Sequence, residues 1–160
     1  MLTQEEVKKY WNKSACNYSN SIKRELEDGS ADVWKELILD NAPPNREKLD
    51  ILDIGTGPGF FSIIMAQEGH RPVGIDGSPE MLKQANINAQ LTGVDVEFRQ
   101  MNVHELDFPD NTFDMVISRN GTWTLYDPRK DYAEWKRVLR SGGRILVFDA
   151  SWYASLFDAF

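Results

Sequence analysis

Residues 49–60 read LDILDIGTGPGF, and this stretch decides the fold. Six residues rich in Leu and Ile read as a strand. Three glycines then fall within five positions, Gly55, Gly57 and Gly59. A loop so poor in side chains turns sharply or lets something come very close to its backbone. The apolar FFSIIMAQE that follows, residues 60–68, reads as a helix, with Gly69 as its C-terminal stop.

The same alternation continues outward. RPVGID, residues 71–76, is a short strand. Ser78 caps a helix with Pro79 at its first position, PEMLKQANINAQLT, which Gly93 ends. VEFRQM (96–101) and FDMVIS (113–118) are a third and a fourth strand. Asp127-Pro128 opens the helix RKDYAEWKRVL, SGG at 141–143 stops it, and RILVFDA (144–150) is a fifth strand. Upstream, Thr3 and Glu6 form a capping box for a helix through EEVKKYWNKSACNYSNSI. EDGS (27–30) breaks it. ADVWKELILDN (31–41) follows as a second helix with Val33, Trp34, Leu37 and Ile38 on one face, and APPNREK is a loop. Strands and helices that alternate with short connections imply parallel strands and right-handed crossovers. The fold class expected is α/β, a three-layer α/β/α sandwich with a mostly parallel sheet. Residues 1–45 form a helical segment in front of it, and residues 46–160 form the sheet domain.

At 160 residues the chain suits one domain with one core. Its 41% hydrophobic content suffices to fold it. The 25 acids outnumber the 18 bases, for a net charge of −7. Such a surface repels nucleic-acid phosphates and anionic lipid, so neither nucleic acid nor membrane is an expected partner. One cysteine, Cys16, excludes a disulfide within the chain and argues against a cysteine zinc site; no metal is expected. No apolar run reaches the roughly 18 residues of a membrane span, and the N-terminus is too polar for a secretory signal. A cytoplasmic, reducing compartment fits these features.

In a doubly wound sheet, ligands bind at the carboxyl ends of the strands. The GTGPG loop sits there, at the head of a helix, where backbone N–H groups and the helix dipole favour an anionic group. Asp76 ends the second strand 21 residues after Gly55. An acid there accepts hydrogen bonds from ribose hydroxyls. Together they describe a nucleoside ligand with an anionic or polar tail. The G-x-G-x-G spacing departs from the G-x-G-x-x-G of dinucleotide loops, and no lysine follows as an ATP loop requires.

LDIGTGPGFFS, VGIDGSPEMLKQA, FPDNTFDMVISR and EWKRVLRSGGRILVFD, in that order and spacing, resemble the successive motifs of class I S-adenosylmethionine-dependent methyltransferases. The group that includes the ubiquinone-biosynthesis C-methyltransferases, type 11, is the nearest resemblance, over about residues 49–150. It implies a Rossmann-like fold, S-adenosylmethionine as cofactor and S-adenosylhomocysteine as product. It implies that Asp53, Gly55, Thr56, Gly57 and Gly59 lie beneath the methionine part, with Asp53 on the amine side. Asp76 would bind both ribose hydroxyls, with Gly77 and Met81 bordering the sugar and adenine. Asn102 stands where that family usually has an acid beside the adenine; its side-chain oxygen still accepts from the amine, without charge. Val103 would offer its backbone N–H to the ring. The bland alternative for Asn102 is a turn residue at a strand end.

Ser118, Arg119 and Asn120 would line the cofactor and acceptor pocket. Arg119 would meet a carboxylate of cofactor or substrate, or be a solvated loop arginine. Tyr10, Trp11 and Tyr18 would belong to a lid, where aromatic faces attract a sulfonium, or to the core, the commoner place of aromatics at helical spacing. Trp123 would be a packing residue or pocket wall, and His70 a surface residue; His104, just after the adenine motif, would be a surface residue or face the site. No catalytic base is assigned. The resemblance also implies that sheet and acceptor site continue beyond residue 160. A partner copy covering the fifth-strand edge and the apolar tail of Trp152, Tyr153, Leu156, Phe157 and Phe160 is the alternative. Methyl transfer to a small-molecule acceptor is therefore the first function. A cofactor-binding module with little turnover is the second, and a nicotinamide-dependent oxidoreductase the third.

Overall fold

The computed structural model of the chain describes residues 3–121 and 125–149. Trp123, Trp152, Tyr153, Leu156, Phe157 and Phe160 lie outside them. The elements run α1 (Gln4–Glu27), α2 (Ser30–Asp40), β1 (Asp50–Ile54), α3 (Phe60–Gln67), β2 (Arg71–Asp76), α4 (Pro79–Thr92), β3 (Glu97–Gln100), β4 (Phe113–Arg119), α5 (Pro128–Arg137) and β5 (Leu139–Phe148). All five strands are parallel, in the order β3-β2-β1-β4-β5. This is the three-layer Rossmann-like sandwich that the alternation implied.

The period-2 pattern of β1 divides the core. Ile51 points to one face with Phe60, Phe61, Ile64, Met65, Met115 and Ile117, under α1 and α2. Leu52 and Ile54 point to the other, with Ile75, Val116 and Trp135 of α5. β1 is flanked by β2 on one side and β4 on the other. The chain thus reverses its direction of travel across the sheet at β1/β4, which opens a crevice at the carboxyl ends of the strands. At the opposite ends, buried Asp114 accepts from Asp50 N and pairs with Arg46 and Arg140, at 2.7–2.9 Å.

The cap chemistry formed as the sequence implied. Thr3 and Glu6 make the capping box, Ser78 Oγ accepts from Met81 N, and Asp127 caps α5. Two expectations need correction. The inner face of α2 is Ala31, Trp34 and Ile38, whereas Val33 and Leu37 are exposed. The i, i+3, i+7 set won because Trp34 packs on Phe61 and Phe148. The last strand also begins before SGG, at Leu139. Phe113 pairs with Leu139 and Met115 with Arg144, so the serine and glycines form a bulge inside β5, with Gly142 at φ 79°.

Candidate functional site

A cleft of about 1010 Å³ lies over the carboxyl ends of β1 to β4, with α1 forming its outer wall. That volume is of the size of small-molecule sites. Among the described residues no helix is long and apolar enough to cross a membrane, and no cluster of three or more His, Cys, Asp or Glu could hold a metal ion.

The glycine loop forms the floor, and its amides face inward. Gly55 N and Thr56 N both donate to Ile75 O at 2.9 Å, Gly59 N donates to Thr56 O, and Gly57 N donates to Asp76 Oδ2 at 3.0 Å. Pro58 has no N–H. The expected nest of free amides for an anion is therefore absent from residues 55–59, because the turn that ties β1 to β2 consumes them. The three glycines serve different ends. A Cβ on Gly59 (φ 90°) would lie 3.1 Å from Ala85 Cβ and from Phe98 Cζ, so this glycine lets α3, α4 and β3 pack. A Cβ on Gly57 would meet the Tyr18 ring at 3.5 Å, and one on Gly55 would project into open space. Gly55 and Gly57 line the cleft.

Asp53 is buried behind the loop. Its Oδ2 accepts from Thr56 Oγ1 (2.6 Å), Ser62 Oγ (2.8 Å) and Ser62 N (3.1 Å). Burial pushes its carboxyl up to about 6, against the opposing hydrogen bonds from Thr56 and Ser62. Asp53 and Thr56 hold β1, loop and α3 as one body and do not line the cleft. Asp76 does line it, with Gly77, Ser78 and Met81. Its Oδ1 accepts from Ser78 N at 2.8 Å, and burial holds its carboxyl above the usual range. Ser78 Oγ also donates to Asn12 Oδ1 of α1 at 2.6 Å, which fastens that wall to the tip of β2.

Asn102, Val103 and His104 follow β3 along the rim. Asn102 Oδ1 accepts from His104 N at 3.1 Å, the turn geometry that was its bland alternative. α5 clamps this rim. Trp135 Nε1 donates to Val103 O, Glu134 accepts from Leu106 N, and Arg137 donates to Leu106 O and Phe108 O. His104 Nδ1 lies 2.9 Å from Oδ1 of Asp131, a buried carboxylate whose Oδ2 has no partner. Of its two expected places, surface or site, His104 therefore takes the second. It is partly buried and lines the cleft beside Tyr126. The pair joins positions 27 residues apart, and no local pattern announced it. His70 lies at the far end of β1, where its Nδ1 accepts from Leu49 N.

Arg119, at the tip of β4, is no solvated arginine. Its Nη2 pairs with Glu25 of α1 at 2.8 Å, and its guanidinium lies against Trp34, Phe60 and Phe61 at 4.9–5.8 Å. Its Nη1 is buried without a hydrogen-bond partner. Beside it, burial pushes the Tyr18 hydroxyl up, opposed by Arg119 and Asn120. Trp11 and Tyr18 line the cleft from α1 with their rings 5.9 Å apart, whereas Tyr10 packs on Trp11 from outside and is exposed.

A family profile described as "Methyltransferase domain" matches residues 52–147. The chain is 36% identical over 105 residues to the uncharacterized methyltransferase YcgJ of Bacillus subtilis, covering 65% of this chain and 42% of that one. It is 33% identical over 130 residues to the demethylmenaquinone methyltransferase of Thermus thermophilus, covering 80% and 59%. Among solved structures it resembles a SAM-dependent methyltransferase of Methanosarcina mazei, with a TM-score of 0.63 and 30% identity over 76% of this chain and 61% of that one. The chain thus spans about half the length of the curated relatives it matches. By this profile match over most of its length, the chain belongs to the methyltransferase domain family.

Proposed function

We propose that the cleft binds S-adenosylmethionine and that the chain directs transfer of its methyl group to a small-molecule acceptor by in-line displacement. One observation carries this reading. The Asp76 carboxylate at the tip of β2 and the bare Gly55 backbone at the tip of β1 face one cleft, joined through Gly57. A carboxylate suits a ribose diol, and an uncovered glycine suits a tail lying on the backbone. The other polar groups fit the same ligand. Arg119 Nη1, a buried donor without a protein partner, suits the carboxylate of the amino-acid tail in place of the loop amides. Gly77 and Met81 border the sugar, and Val103 and Asn102 border the base. The faces of Trp11 and Tyr18 suit a sulfonium. Asp53, Thr56 and Gly59 act behind the cleft by fixing the loop.

The bound cofactor supplies a methyl group already activated for displacement. The protein's work is to hold the two partners in line and exclude water, with α1 as the closing wall. The acceptor is proposed to be a quinone-like or amine-bearing small molecule, by analogy with relatives named demethylmenaquinone methyltransferase and phosphatidylethanolamine N-methyltransferase.

Titration calorimetry with S-adenosylmethionine, S-adenosylhomocysteine and NADH tests the reading. The first two should bind one per chain and NADH should not. A folded chain that binds neither overturns it. A methyl-release assay on demethylated quinones and primary amines, with this chain and with any longer natural version, then separates transfer from binding alone.

A further inference from the structure

Behind the corner where the floor of the cleft meets its outer wall lies a buried amide that none of the methyltransferase-like motifs includes. Asn88 stands inside α4 and is 1% exposed. Asparagine is a poor residue for a helix interior, and a buried amide is costly unless its groups are engaged. Here they are engaged. Asn88 Nδ2 donates to Pro58 O at 3.0 Å and to Ser19 Oγ at 3.2 Å, and the Ser19 hydroxyl reaches Asn88 Oδ1 at 3.5 Å. Ser19, on α1, is itself fully buried. One side chain thus ties α4 to α1 and to the glycine loop, across 69 and 30 positions of sequence.

Both arms of the tie lead to the cleft. Pro58 stands between Gly57 and Gly59 in the loop. Ser19 adjoins Tyr18, whose ring rests on Gly57: a Cβ on that glycine would lie 3.5 Å from Tyr18 Cε1. Gly57 and Tyr18 therefore form one corner of the cleft, and Asn88 holds both sides of it from behind. The Tyr18 hydroxyl bonds Asn120 beside Arg119, which places the corner at the β4 end. Asn102 and Val103, after β3, border the other end. In the order β3-β2-β1-β4 these ends are three strands apart, about 14 Å at the usual spacing.

We propose that Asn88 is a positioning residue for the methionine end of S-adenosylmethionine, because it fixes the Gly57–Tyr18 corner against which that end lies. This rests on the reading that the cleft takes S-adenosylmethionine. Asn88 does not line the cleft, so its effect passes through Pro58 and Ser19. A corner displaced by a fraction of an ångström loses contacts to the tail and leaves the nucleoside, held at the tips of β2 and β3, in place.

The test compares S-adenosylhomocysteine with methylthioadenosine, which lacks the amino-acid end, by calorimetry on the full chain. Asn88→Leu keeps the volume and removes both arms. It should lower affinity for S-adenosylhomocysteine about tenfold, the order of one buried hydrogen bond, and affinity for methylthioadenosine by less than about twofold. Ser19→Ala removes the α1 arm alone, and should lower the ratio in the same direction by a smaller factor. Equal losses for both ligands, or no loss in the folded variants, overturn the proposal, since a merely structural amide would act on both alike or on stability alone. If Asn88→Leu does not fold, Ser19→Ala decides by the same criteria. A measurement on the wild type needs no variant. Saturation with S-adenosylhomocysteine should shift the side-chain amide signals of Asn88 in nitrogen-15 spectra, and methylthioadenosine should shift them far less. Equal shifts with the two ligands, or binding of S-adenosylhomocysteine without a shift, overturn the proposal and leave the cofactor reading standing. Absence of any binding by the wild type overturns both.

Discussion

Asp76 Oδ2 accepts the backbone N–H of Gly57 at 3.0 Å, so the acid at the tip of β2 and the loop at the tip of β1 form one wall. The carboxylate has a second oxygen on Ser78 N and still faces the cleft. It is at once a brace and a candidate ligand group.

Substitution Asp76→Asn separates the two duties. An amide oxygen preserves one of the two backbone contacts, but the charge that strengthens hydrogen bonds from ribose hydroxyls is gone. Hydrogen bonds to charged groups are worth about 1.5–3 kcal/mol. Affinity for S-adenosylhomocysteine should fall roughly tenfold to a hundredfold in calorimetry, while the far-ultraviolet circular dichroism stays native. An unchanged affinity in the folded variant removes Asp76 from the binding site.

Gly55 and Gly59 should fail differently when changed to alanine. Both have positive φ, 70° and 90°, which costs an alanine about 1–2 kcal/mol. At Gly59 the new methyl also meets Ala85 Cβ and Phe98 Cζ at 3.1 Å, so α4 or β3 must shift, at about 1–3 kcal/mol more. At Gly55 it meets nothing in the protein within 4 Å, and Gly55 lines the cleft proposed to take the ligand. Urea titration should therefore rank Gly59→Ala as the less stable variant. Calorimetry should rank Gly55→Ala as the weaker binder relative to its stability loss. The reverse order would mean that Gly55 packs and Gly59 contacts ligand.

These contrasts mark where the sequence was legible. Strands, caps and the parallel topology follow from local chemistry: an apolar run before GTGPG, Ser78 before Pro79, Asp127 before Pro128. The place of Asp76 was legible because it is last in its strand, which sequence position encodes. The destination of the loop amides was not, since Ile75 O reaches Gly55 and Thr56 only when β1 and β2 pair. His104 with Asp131, and Arg119 with Glu25, join residues 27 and 94 positions apart. Each is polar and ordinary in its own neighbourhood. Only the packing of α5 on the β3 rim, and of α1 against the tip of β4, makes them partners. The SGG bulge misled for a related reason: Gly142 and Gly143 read as a helix stop, yet β4 gives them a ladder to bulge from.

Arg119 should matter for the tail of the ligand and not for its base. Its Nη1 is a buried donor without a partner, and Glu25 holds the other side of the guanidinium. Arg119→Lys keeps the charge but loses the planar fork and its packing on Trp34 and Phe60. Affinity for S-adenosylhomocysteine should fall about tenfold, the order expected for one charge-assisted hydrogen bond. Affinity for methylthioadenosine, which lacks the carboxylate, should stay within about twofold, on the same scale of energies. Equal losses for both ligands would place Arg119 in the packing of α1 alone.

Asp53 gives the stability of the fold a particular dependence on pH. Its carboxyl is held at about 6 in the folded chain against an ordinary value of 3.8, with burial as the dominant cause. Between those values the folded state binds a proton that the unfolded state has released. The stability this proton contributes is full below about 3.8, declines as pH rises through about 6, and is absent at neutral pH. Asp53→Asn cannot titrate, and it retains an oxygen for Thr56 and Ser62. Any constant penalty of the substitution cancels when the same pair of proteins is compared at two pH values. The wild type should therefore exceed Asp53→Asn in unfolding free energy by about 2 kcal/mol more near pH 4.5 than near pH 7.5. Urea denaturation of both proteins at the two pH values measures the difference of differences. A value of zero would mean that the three hydrogen bonds to Oδ2 offset the burial fully. A value of opposite sign would mean that they outweigh it, making the charged Asp53 a net stabiliser of the turn.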